Sequence, residues 1–199
     1  MTTSDALIGT IDRTFTCTYP GDRFLQGSFE GCEPYDEVGA FVGITDWRSL
    51  EAAFLDAHYC APPFFSEAGF RFFLPAYLVA DLRDELMTAD PVFWLTHGFS
   101  ELAVDTIGTG GRPISHRSGG PALLGPGRYG ALTWEDASRH RLSVFCREEA
   151  TVIADYLRHR RDGDRLGLDA PRIDAALERF WMPRALTAPT RAGLDDFTH

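Results

Sequence analysis

Between Ser66 and Leu82 the sequence reads Ser-Glu-Ala-Gly-Phe-Arg-Phe-Phe-Leu-Pro-Ala-Tyr-Leu-Val-Ala-Asp-Leu, with Phe70, Phe73, Leu74, Tyr77 and Leu78 recurring at intervals of three and four. That spacing lines one face of an α-helix with large apolar groups, which neighbouring elements must cover. Pro75 falls in the middle. Proline has no N–H to give to the carbonyl of Arg71, and its ring crowds that carbonyl. The helix therefore kinks or restarts there, leaving the Arg71 carbonyl open to water or a side chain.

The same spacing recurs along the chain. Leu7, Ile8, Ile11 and Phe15 mark a short helix over 5–16, behind Ser4 or Asp5 as N-cap. Residues 17–33, with Pro20-Gly21, Gly27 and Gly31, read as a loop, and Pro34 starts a second helix through Phe41. Thr45 or Asp46 caps a third, carrying Trp47, Leu50, Phe54 and Leu55, which stops before Pro62-Pro63. Residues 91–104 fit helix or strand and are assigned to helix. Thr133-Trp-Glu-Asp is a capping box for a helix over 134–161, either continuous or divided at Glu148-Glu149. Pro171 starts a last helix that Pro183 ends.

Between Gly108 and Gly130 the composition changes: 23 residues hold eight Gly and three Pro, which predicts a long loop. The expected fold is mainly α, a compact irregular bundle of six to eight helices with this Gly/Pro-rich loop at 108–130. At 199 residues the chain fits one domain, placed at 1–188, with a frayed tail over 189–199.

Composition removes whole classes of chemistry. There is no Lys and no Asn, so Schiff-base catalysis, a Walker lysine, N-glycosylation and a Cys-His-Asn triad are all excluded. The bias most simply reflects a GC-rich, bacterial genome. No signal peptide and no bilayer-length apolar run is evident, the longest being Phe72–Ala80. Cys17, Cys32, Cys60 and Cys146 form no C-x-x-C pair and read as reduced thiols of a cytoplasmic protein.

Charge is uneven. Residues 1–105 hold 17 Asp/Glu and 5 Arg, and residues 106–199 hold 12 Asp/Glu and 14 Arg. The acidic half suits a basic protein partner. The basic clusters Arg139-His-Arg141 and Arg158-His-Arg-Arg161 would have to overcome its field to hold nucleic acid, and the second complements a helix C-terminus instead.

The block from Phe64 to Leu82 resembles the signature of a family of uncharacterised, mostly bacterial proteins that carry a Phe-Ser-Pro-Glu-Ala-Phe-Arg-Tyr-Tyr-Leu-Pro-Ala-Tyr-like motif. Trp47-Arg-Ser-Leu and Ala176-Leu-Glu-Arg-Phe-Trp181 are similar to its upstream and C-terminal features. Here Glu-Ala-Gly stands where Pro-Glu-Ala is expected. The resemblance implies a shared domain and no catalytic residues.

Few residues offer chemistry. Arg71 either pairs with Glu67 one turn before it, worth about 0.2–0.5 kcal/mol, or presents its fork to an anion. Tyr77 and Asp81, one turn apart, form a candidate polar pair beside it. The six histidines show no metal-ligand spacing; His97 and Glu101 make half a site at best. Gly108-Thr-Gly-Gly-Arg lacks the lysine of a phosphate loop. No catalytic residue, metal or cofactor is assigned. The expected function is a non-enzymatic acidic helical protein-interaction module. The alternative is an enzyme or small-ligand binder with an anion-recognising pocket at Arg71, Tyr77 and Asp81, near the Pro75 kink.

Overall fold

In a computed structural model, which describes residues 3–27, 32–100, 102–107, 113–118 and 133–195, the chain is mainly helical. It runs through α1 (Thr3–Thr14), α2 (Cys32–Gly39), α3 (Ala52–Ala57), α4 (Glu67–Leu82) and α5 (Pro91–Thr96). A strand pair, β1 (Leu102–Ile107) and β2 (Pro113–Ser118), precedes α6 (Trp134–Leu142) and α7 (Arg147–Gly163). Then come α8 (Ala170–Ala176), a π turn (Leu177–Trp181), α9 (Met182–Thr187) and α10 (Arg191–Asp195).

Ser66 starts the central helix, its hydroxyl accepting from the Gly69 N–H at 3.0 Å. Gly69 is the third residue of the helix. A Cβ at this position would stand 2.9 Å from the Leu25 carbonyl, so glycine lets the 17–27 segment close onto α4. Pro75 neither breaks nor restarts the helix, which is continuous from Glu67 to Leu82. The carbonyl it deprives of a donor, Arg71 O, receives the Cys17 thiol at 3.9 Å.

Around α4 pack α1, α3 and α5, and α7 lies against α1 and α9. The core is aromatic: Phe15, Phe41, Phe65, Phe70, Phe73, Phe99 and Phe145 are fully buried, with Tyr77, Tyr156 and Trp181. Buried Tyr and Trp need partners for their polar atoms. Trp181 Nε1–H donates to the Leu95 carbonyl at 2.8 Å. Edge-to-face pairs dominate, as ring quadrupoles favour: Phe41 meets Phe54, Phe65 and Phe73 at centroid distances of 5.0, 4.9 and 4.9 Å.

Several boundaries differ from the sequence reading. Asp46 caps only a 3-10 turn, Trp47–Ser49, and α3 starts afresh at Ala52. The helix assigned to 91–104 stops at Thr96, because Gly98 turns the chain at φ +89°. The strand-prone Leu102–Ile107 then pairs antiparallel with Pro113–Ser118, Leu102 opposite Ser118 and Ile107 opposite Pro113. Part of the Gly/Pro-rich loop is thus a strand. The rest of that prediction, 108–112 and 119–130, lies outside the described residues.

The long 134–161 helix is two helices, parted at Ser143–Cys146 rather than at Glu148-Glu149. Glu149 sits three residues into α7 and accepts from the Cys146 N–H at 3.1 Å, closing the new helix's first turn. Pro183 does not end the last helix. The π turn ahead of it lets α9 continue to Thr187, with Pro183 in its first turn, where a missing N–H is tolerated. The tail expected to fray is docked as far as Asp195. Arg147 N–H donates to Pro189 O at 2.9 Å, and Arg191 reaches Glu149 at 3.3 Å and the carbonyl of Thr14. Residues 196–199 lie outside the described residues.

Candidate functional site

Arg71, Tyr77 and Asp81 share α4 but do not converge. Arg71 does not pair with Glu67. It spans to α7, its Nε and Nη2 donating to the two carboxylate oxygens of Glu149 at 2.8 and 3.0 Å. Glu149 is completely buried and Arg71 partly so, and the hydrogen bond and charge of Glu149 outweigh burial to raise the Arg71 guanidinium further. The fork is occupied, so an external anion would have to displace Glu149. Burial, and after it the charge of Glu149, also pushes the Cys17 thiol up, which keeps it a donor to Arg71 O.

Tyr77 donates to the His58 carbonyl at 3.3 Å, and burial raises its hydroxyl well above the ordinary range. Asp81 turns instead to α7: the buried Tyr156 hydroxyl donates to it and Arg160 lies 3.2 Å away. Burial pushes the Asp81 carboxyl up, opposed by the Tyr156 bond and Arg160. These are supports between helices. None of the three lines the cleft at 159–169 or the pocket beside Trp134.

The histidines are equally dispersed. His58 packs on Phe41 and Phe54, His140 lies 4.0 Å from Glu67, and His159 Nε2 is 3.2 Å from Ser4 Oγ. His97 lies between Phe93 and Trp134, while Glu101, its supposed partner, lies outside the described residues. Among the described residues no group of three or more His, Cys, Asp or Glu is placed to hold a metal ion. No helix there is long and apolar enough to cross a membrane. A broad cleft of about 650 Å³ includes Ser4, Asp84, His159, Arg160, Asp164 and Asp169. Its carboxylates are met within the chain, Asp84 by Arg160, Asp169 by Arg172, Asp162 by Arg161, and Asp164 by the N–H groups of Asp169 and Ala170, while Arg165 in the same lining has no ion-pair partner among the described residues.

The basic clusters are also spent inside the protein. Arg139 pairs with Glu135, Arg158 with Asp155, Arg160 with Asp81 and Arg161 with Asp174. Arg141 lies half-buried over the Phe70 ring at 4.6 Å and donates to the carbonyls of Pro62 and Pro63; desolvation pulls it down to about 10.

The acidic half behaves differently. The turn Asp22–Phe24 is tied to the end of α2: Asp22 accepts from the Tyr19 hydroxyl at 2.5 Å and from the Gly43 N–H at 3.0 Å. Those bonds hold its carboxyl below the ordinary range. Asp36 and Glu37 on α2 and Glu51 before α3 have no ion-pair partner among the described residues. The Tyr59 hydroxyl is raised, first through Cys60 and last by the charge of Glu37. Phe24, next to Asp22 and Arg23 in the chain, Val42 and Tyr59 are exposed. Arg48 is turned away to Asp12 at 2.8 Å and lies over Trp47. The sequence charge balance pointed to this half but to none of these residues; what the fold adds is the tie of Tyr19 and Asp22 to Gly43.

Compared with known proteins, the chain matches no family model, no curated protein and no solved structure.

Proposed function

We propose that this chain is a non-enzymatic protein-interaction module, and that the acidic face formed by Asp22, Asp36 and Glu37 with Phe24, Val42 and Tyr59 receives a basic segment of a partner protein in the cytoplasm. One observation carries the reading: the arginines of the clusters at 139–141 and 158–161 are used internally, whereas Asp36, Glu37 and Glu51 have no ion-pair partner among the described residues. Uncompensated carboxylates steer a cationic partner, and exposed aromatic groups among them give it apolar anchors. The free thiols of Cys17, Cys60 and Cys146 suit a reducing compartment.

The test is affinity capture from host lysate with the wild type, an Asp22→Asn/Asp36→Asn/Glu37→Gln variant, and Asp155→Asn as control. The expected result is a stoichiometric protein retained by wild type and control, released as salt rises, and lost with the triple variant. Retention of the same proteins by the triple variant would refute the acidic face.

A further inference from the structure

Arg191 sits in a socket made by two distant parts of the chain. Its guanidinium donates to the Thr16 hydroxyl, to the Thr14 carbonyl and, at 3.3 Å, to Glu149. Thr14 is the last residue of α1, where carbonyls lack an intrahelical donor and the helix dipole favours a cation. Glu149 adds a carboxylate with no exposed surface, whereas the Arg191 side chain is 27% exposed. A carbonyl, a hydroxyl and a carboxylate converging on one planar fork suit a guanidinium better than the compact ammonium of a lysine.

The segment that carries Arg191 is held by little else. Ala188 is buried, but no residue from 189 to 193 is. The other ties are polar: Arg147 N–H donates to Pro189 O at 2.9 Å, and Arg191 N–H to Glu148 at 3.1 Å. A segment with so few apolar contacts opens well below the free energy of global unfolding. Its departure does not strand Glu149. Arg71 still holds both carboxylate oxygens, at 2.8 and 3.0 Å, and the Cys146 N–H donates at 3.1 Å.

We infer that Thr14, Thr16 and Glu149 form a guanidinium-binding socket that Arg191 keeps closed from within, and that an arginine of a different protein takes its place when the C-terminal segment lifts. The site shares no residue with the acidic face and does not rest on it. Arg191 competes at an effective concentration on the order of millimolar, as a short tether gives, so the incoming arginine needs further contacts of its own.

The experiment uses the full chain carrying Arg191→Ala, with ethylguanidinium and ethylammonium as probes in thermal melts. The expected result is a saturable rise in Tm with ethylguanidinium, at least tenfold weaker with ethylammonium, at least threefold weaker in Arg191→Ala/Thr16→Val, and not matched by wild type at the same concentrations. No rise, equal response to the two cations, or equal response by wild type or by the Thr16→Val variant overturns the proposal. An Arg191→Ala protein that does not fold overturns it too, because the core must stand without this occupant. In wild type the Arg191 N–H should exchange with solvent at least a hundredfold faster than the Ile153 N–H within α7; equal rates would mean that the tail leaves only on global unfolding. A wild-type dimer that Arg191→Ala abolishes would make the incoming arginine a second copy's and overturn its assignment to a different protein.

Discussion

Arg71 and Glu149, 78 residues apart, form a two-point ion pair in which Nε and Nη2 each hold one carboxylate oxygen, at 2.8 and 3.0 Å. The pair joins the central helix to the start of α7, and Arg191 brings the end of the chain to the same carboxylate at 3.3 Å. A completely buried carboxylate tolerates this position only because both oxygens are held.

Breaking the pair on one side is therefore more damaging than removing it. Glu149→Gln strands Arg71 in a buried site and is expected to lower stability by about 3–5 kcal/mol. The double replacement Arg71→Met/Glu149→Leu should fall closer to wild type. Urea unfolding of the three proteins reads this out. A Glu149→Gln protein as stable as wild type would remove the pair from any structural role.

Asp81 predicts an inverted pH dependence. Its folded carboxyl is raised above the ordinary 3.8, chiefly by burial, so the folded state holds its proton longer than the unfolded chain. Its contribution is fully present below the unfolded value and is lost as pH rises through the folded one. The stability difference between wild type and Asp81→Asn should accordingly fall as pH increases just above 3.8. A flat difference across that window is the contrary result.

Asp56 titrates the other way. Burial would raise it, but the N–H groups of Ala89, Thr88 and Met87 prevail and hold it down. Its contribution is present above the unfolded value and disappears as pH falls through the folded one. Asp56→Ala should cost about 1–3 kcal/mol near neutrality through the loss of three charge-assisted bonds in the 87–89 turn, where only Ala89 is a buried residue. Faster amide exchange confined to Met87, Thr88 and Ala89 is the accompanying signature.

Gly98→Ala should be among the most harmful small substitutions. The backbone there has φ +89°, and a Cβ would meet Trp134 O and Ser138 Oγ at 2.7 Å. Strain and overlap together amount to about 2–4 kcal/mol. Thermal melts of the variant against Gly39→Ala, where a Cβ meets nothing within 4 Å, isolate the effect of the turn.

How far such features can be read from sequence depends on their range. Ser66, Thr133 and the 70–78 stripe announced their helices because caps and periodicity act within a few residues. The orphaned carbonyl of Arg71 followed from Pro75 alone, yet its taker, Cys17, lies 54 residues away. The i,i+4 reading of Arg71 with Glu67 failed for the same reason: a buried partner on α7 outcompetes an exposed one on the same helix. Gly98 and Arg172 went unremarked, since a chain-reversing glycine after six helical residues and an ordinary surface-type arginine carry no pattern. The π turn was invisible too, and it is what allowed Pro183 to sit inside a helix.

Glu149 has a schedule as well as a place. Arg71 precedes it on the growing chain, but Arg191 follows 42 residues later. At about 5–20 residues per second that interval is roughly 2–8 s of synthesis. Until it ends, a carboxylate destined for complete burial lacks its second arginine, and the fully buried Trp181 also follows it in the chain. Arg191 then fastens this part of the chain to the Thr14 carbonyl, 177 residues before it, as well as to Glu149.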